Sequence, residues 1–253
     1  MKTISTTLVT VLLYSCAGNN NNEQPTVLKQ DSISIPISRD SSRLVKASVN
    51  KCTIDNEVAS LGIGLVIAPK TFTLYDDSLL AGKPLAVDMN EQNDSLANIC
   101  TMVFDPEYGL MHFACTGETE NAYRVLINRS ETKYLPKKQI QFETWEQYLL
   151  HSFGVRRKTT ATEEEDKPLT ELHRSPSDTA AILPLPAGHE MFCAMQVQGD
   201  WLQVKYDCFY NDEDSKYEGQ PCHNFIDKCD NAQTGWIRWR QDNKLLIDIF
   251  LMP

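Results

Sequence analysis

Eight cysteines and five histidines are the residues of this chain with the widest chemical repertoire. A thiol and an imidazole make a nucleophile–base pair when they sit within hydrogen-bond reach and a third group orients the base. Two such pairs lie close in sequence. His112 and Cys115 are three apart on a segment that reads as a strand, so they point to opposite faces. His189 and Cys193 share a face, yet nothing marks an orienting residue. Neither cysteine opens a helix, where a lowered thiol pKa is expected. No Gly-x-Ser-x-Gly, His-Glu-x-x-His or phosphate-loop pattern occurs. These residues point away from an enzyme, and no cofactor or metal is expected.

The stretch DCFYNDEDSKYEGQPCHNFIDKCD, residues 207–230, concentrates the remaining chemistry. Three readings compete. In the favoured one, two of Cys208, Cys222 and Cys229 form a disulfide that staples the loop, as is common in small exported modules. Zinc on Cys208, Cys222, His223 and Cys229 is the second, but adjacent Cys222-His223 does not fit the usual ligand spacing. Calcium on Asp212, Glu213 and Asp214 is the third, without the spaced oxygens and glycine of a calcium loop. A solvated acidic loop explains the same charges. Close by, Trp201, Tyr206, Trp236 and Trp239 are expected to supply ligand-binding surface, because flat aromatics suit sugar rings and peptide side chains. Each of them has core packing as its plainer alternative. Trp236 and Trp239 sit at odd separation in one strand, so they face opposite ways.

Short strands must position these groups. Apolar, β-branched or alternating runs predict strands at residues 62–68, 72–75, 102–104, 109–114 and 123–127, with turn chemistry at 105–109. Further strands are expected at 181–183, 190–196, 201–206, 235–239 and 245–251, with a tight turn at Gln198-Gly199-Asp200. Helical spacing appears clearly once, in Trp145, Tyr148, Leu149 and Phe153. Thr144 with Gln147 makes a capping box, and Gly154 is placed to end the helix. Residues 156–168, RRKTTATEEEDKP, read as a polar linker.

The two halves repeat weakly. Tyr123-Arg124-Val125 followed by Thr132-Lys133-Tyr134-Leu135 parallels Trp201-Leu202-Gln203-Val204 followed by Thr234-Gly235-Trp236-Ile237. Upstream, residues 72–78 are set against 181–186. The second half resembles the bacterial SH3-like (SH3b) domains. Leu183-Pro184-Leu185-Pro186-Ala187-Gly188, Gly199-Asp200-Trp201-Leu202-Gln203-Val204 and Thr234-Gly235-Trp236-Ile237 carry the likeness. Residues 207–233 are an insertion where that family usually has a short loop. The first half resembles the family more faintly, with Tyr123 and Tyr134 in place of the tryptophans. The resemblance implies a mainly β chain of two small SH3-like barrels in tandem, over residues 51–142 and 169–253, joined by a helix and linker over 143–168. It also implies binding of peptides, glycans or cell-wall material, with no shared catalytic residues.

The N-terminus sets the compartment. Lys2 precedes a short uncharged apolar core, the pattern of a signal peptide over residues 1–15 and too short to span a bilayer. Leu13-Tyr14-Ser15-Cys16 resembles the lipobox of bacterial lipoproteins, although Tyr14 stands where a small residue is usual. The resemblance implies lipidation at Cys16 and a membrane anchor, and the following Ala17 hints at the outer membrane. AGNNNNEQ, residues 17–24, is too polar to bury a core and opens a flexible tether expected over residues 16–50. In an oxidising compartment the remaining seven cysteines favour disulfides, with at least one thiol left over. A net charge of −10 argues against nucleic acid as a partner. The expected function is a lipid-anchored envelope binding protein for a peptide, peptidoglycan or an envelope protein. The alternative is an inhibitor or immunity-type protein, its acidic stapled loop suited to plugging a basic cleft.

Overall fold

The computed structural model describes residues 49–51, 58–89, 99–138, 140–160, 167–185, 190–210, 212 and 215–252. Cys16, the expected signal peptide and most of the expected tether lie outside the described residues. The tether's last residues enter a strand, Val49–Lys51, paired in parallel with Ile99–Thr101. The chain is mainly β, with Trp145–Leu150 as the only α-helix among the described residues. Among the described residues no closed barrel forms: the ladders stay open along their strand orders.

In the first half, neighbouring strands run in the order Gln141–Thr144, Gly64–Ile67, Leu110–Glu118, Ala122–Leu126, Thr132–Pro136, all antiparallel. In the second half the order is Ile247–Phe250, Gly154–Arg157, Phe192–Gln198, Trp201–Tyr206, Thr234–Arg238, again antiparallel. In chain order the pattern is the same: the last strand pairs the first, and the rest follow consecutively.

The match extends to register. Val66 lies between Phe113 and Phe142, and Val155 lies between Phe192 and Ile249. Cys115 pairs Val125, and Ala194 pairs Val204. One extra residue then bulges from each long strand, Thr116 in one and Met195 in the other. Beyond the bulge Arg124 pairs Tyr134, and Gln203 pairs Trp236. Tyr75 bridges Tyr134 as His173 bridges Trp236. Tyr134 and Trp236 therefore correspond, as the sequence comparison has them. Trp201, however, corresponds to Ala122 and not to Tyr123. A one-residue slip in a strand exchanges its faces, and only the pairing reveals it. Likewise the partner of the Tyr75 segment lies at His173, not at residues 181–186.

The halves are not separable bodies. One cluster of buried side chains runs from Val58, Leu61 and Leu65 through Trp145, Tyr148 and Leu149 to Val155, Phe192, Leu202 and Trp239. The helix is the joint. Thr144 caps it as its sequence predicts, its hydroxyl accepting from the Gln147 amide while the Gln147 side chain accepts from the Thr144 amide. Trp145 donates its indole N–H to the Leu61 carbonyl at 3.0 Å and lies 5.4 Å from the Trp239 ring. Gly62 beneath it has φ +68, and a Cβ there would meet the Cys115 carbonyl oxygen at 2.0 Å.

Two local expectations change. Gly154 does not end the helix, which is capped by His151; it opens a strand in which a Cβ would meet Met191 Sδ at 2.7 Å. Nor are residues 156–168 simply a linker. Gly154–Arg157 sits inside the second sheet, and Thr159–Thr160 pairs Lys167–Pro168. Arg157 is 5% exposed, bound to Glu190 at 2.5 and 2.8 Å and donating to the Thr170 carbonyl at 2.9 Å. A charged run looks solvated in sequence because the carboxylate that clamps its arginine lies 33 residues away.

Candidate binding site

The four expected aromatic residues do not make one surface. Trp239 is 1% exposed and belongs to the core, its indole N–H donating to the Gly199 carbonyl at 2.9 Å. Trp201 is also buried. His173 stands edge-on to its ring at 5.3 Å, and the Arg238 guanidinium covers it at 4.7 Å. Arg238 is itself held by both oxygens of Asp178. Trp201 is thus sealed by the chain's own groups. Trp236 and Tyr206 are half-buried. Opposite-facing Trp236 and Trp239 follow from the strand period, which cannot say which of them faces the core. Gly235 packs closely on Leu172: a Cβ there would meet Leu172 Cδ1 at 2.7 Å.

The insertion after Tyr206 is built more elaborately than its sequence indicates. Cys208 bonds Cys229 within it, and Cys222 bonds Cys193 on the strand Phe192–Gln198. All three expected cysteines are disulfide-bonded, and Cys193 is the partner the sequence leaves unassigned. Cys193 is thereby no nucleophile, and zinc has no thiolate here. Glu213 and Asp214 of the calcium reading lie outside the described residues. Phe225, Ile226 and the sulfurs form a satellite core, joined by Phe209 and Tyr217. Lys205 anchors it from the sheet, donating to the Ile226 carbonyl at 3.2 Å.

Between this satellite core and the sheet lies a pocket of about 670 Å³. Phe209, Tyr217 and Phe225 form a ring cluster in its wall, with centroids 4.8 to 5.9 Å apart. Phe153, Phe250 and Met191 come from the sheet side. Among the described residues its ionisable lining, besides the tyrosines, is three carboxylates, Asp207, Asp212 and Glu218, with no lysine, arginine or histidine. Asp207 is 6% exposed and accepts from the Phe209 amide at 2.9 Å. Burial pushes its carboxyl up from the ordinary range, partly offset by amide hydrogen bonds from Phe209 and Tyr210.

The other cysteine–histidine pair is buried. Cys115 is a buried free thiol, its pKa raised chiefly by desolvation. His112 is 3% exposed, its Nδ1 2.8 Å from the Tyr148 hydroxyl, and burial lowers its pKa to about 4. Thiol and imidazole are on opposite sides of one strand, as the spacing requires.

No family model matches the chain, and no curated protein or solved structure does either.

Proposed function

We propose that this protein is a lipid-anchored binding protein of the bacterial cell envelope. Two SH3-like modules, duplicated and fused about one core, carry a disulfide-stapled insertion that recognises a peptide or protein partner. The observation that carries this reading is the pocket between that insertion and the sheet. Its aromatic walls and few convergent polar groups are the usual make-up of a binding site. The duplicated strand order and register support the tandem-module part. The signal-like segment before Cys16, with the lipobox likeness, supports the anchor and the compartment. Two disulfides fit an oxidising compartment.

The test is a pull-down with the chain from Asn20 to Pro253 against purified cell wall and, separately, envelope extract. Retention of a specific envelope protein or peptide, lost in Tyr210→Ala, supports the reading. Retention on wall glycan unaffected by that change moves the site elsewhere, and no retention in either arm refutes it. A second reading, an inhibitor of an envelope enzyme, draws on the three carboxylates that line the same pocket. It requires stoichiometric loss of one partner's activity.

A further inference from the structure

Asp207 is the least expected group in the satellite pocket. A buried carboxylate is costly unless a cation faces it. Among the described residues no cation pairs with Asp207: two backbone amides hold it, and amides orient a carboxylate without neutralising it. Among the described residues two cations stand against rings of the pocket wall without lining the pocket. Arg156 lies over Phe250 but pairs with Asp248, and Lys216 lies over the Tyr217 ring at 5.0 Å; neither lines the pocket. The rings of Phe209, Tyr217 and Phe225 line the same pocket as Asp207, with Asp212 and Glu218 also in the lining. Aromatic faces attract organic cations, and the attraction grows as the cation is desolvated. A metal ion would want several oxygens converging on a point, and no cluster of that kind occurs among the described residues.

Resting on the reading of this protein as a binding protein, we infer that the pocket receives one cationic side chain. That group is the ammonium or guanidinium of a basic peptide or protein segment, with Asp207 as its buried counter-ion and the aromatic rings as its walls. The ligand completes an ion pair that the free protein leaves half made. The pocket volume accommodates such a side chain with its neighbouring backbone. The inference also separates function from stability at one residue. Asp207→Asn keeps one acceptor oxygen for the Phe209 amide while it removes the charge and turns the other oxygen into an amide donor.

The experiment is calorimetric titration of the full chain, in neutral detergent, with tetralysine amide and with its Nε-acetylated counterpart. Tetralysine binds, and the acetylated peptide binds at least about tenfold more weakly, as loss of a charged hydrogen-bonded pair requires. Asp207→Asn weakens tetralysine about tenfold while its Tm at pH 7 is unchanged or higher. Glu107→Gln, the same charge change at an exposed site in the first half, leaves binding as it was. If Asp207→Asn does not fold, Tyr210→Ala, in the pocket lining and 47% exposed, takes its place and weakens binding severalfold. Equal binding of both peptides, or equal weakening by Glu107→Gln and the pocket variant, overturns the inference and leaves only diffuse attraction to an acidic protein. No tetralysine binding, together with a specific partner in the envelope pull-down, overturns the cation assignment and spares the binding-protein reading. Failure of both arms removes both.

Discussion

Trp145→Ala tests whether the two halves share one core or merely touch. The ring is 6% exposed, packs 5.4 Å from Trp239 and 6.0 Å from Tyr148, and donates to the Leu61 carbonyl. Truncating a buried aromatic costs about 3–5 kcal/mol through lost burial and the cavity left behind. The Leu61 carbonyl loses its indole donor as well, worth about 1 kcal/mol. A total near 5 kcal/mol lowers Tm by about 10–20 °C for a chain of this size. Urea unfolding is followed by two probes. Fluorescence of Trp201, Trp236 and Trp239 reports the second half, since Trp145 is the only tryptophan outside it. Alkylation of the buried Cys115, read by mass spectrometry of its peptide, reports the first half. With one shared core, both midpoints fall together and by the same amount. A Cys115 midpoint that stays at its original value while fluorescence shifts refutes the shared core.

Three further outcomes follow from particular contacts. Glu190→Gln takes from the 5%-exposed Arg157 its bidentate carboxylate, leaving Glu171 at 3.2 Å, and lowers unfolding free energy by about 1.5–3 kcal/mol, measured by urea denaturation; a change below about 0.5 kcal/mol contradicts the buried ion pair. Replacing Cys193 and Cys222 together by alanine opens a 29-residue separation and costs about 3–4 kcal/mol by the chain-entropy estimate, visible as a lower Tm and a loosened insertion under limited proteolysis. His112 is held neutral, its pKa lowered from 6.5 to about 4. The native state therefore binds fewer protons than the unfolded chain, and stability present above pH 6.5 is lost as pH falls toward 4. The effect amounts to about 3 kcal/mol. His112→Gln removes that part of the acid dependence, and identical slopes for the two proteins over this window contradict the assignment.

Strand positions were largely legible because the side-chain period of two shows in one stretch of chain. Trp201–Tyr206 has the predicted limits, with Leu202 and Val204 buried as the alternation requires. The helix cap was legible for the same reason: Thr144 and Gln147 meet within one turn. Which of the four aromatics are buried was not. Period alone separates Trp236 from Trp239 but does not say which face of the sheet the core covers. It also cannot foresee that Arg238, clamped by Asp178 from 60 residues away, seals Trp201. The satellite pocket left a faint signal in the clustered cysteines and aromatics of residues 207–230, read there as a stapled loop and not as a cavity.

By itself the sequence determined the mainly β character, the helix and its cap, and the stapling of the insertion, since each depends on neighbours in the chain or on composition. Which cysteines pair, which aromatics are buried, and the common register of the two halves were decided only by tertiary structure. Those properties depend on distances between residues far apart in sequence. Cys193 meets Cys222 because the sheet and the insertion fold against each other, and that packing leaves Asp207 buried without a counter-ion among the described residues.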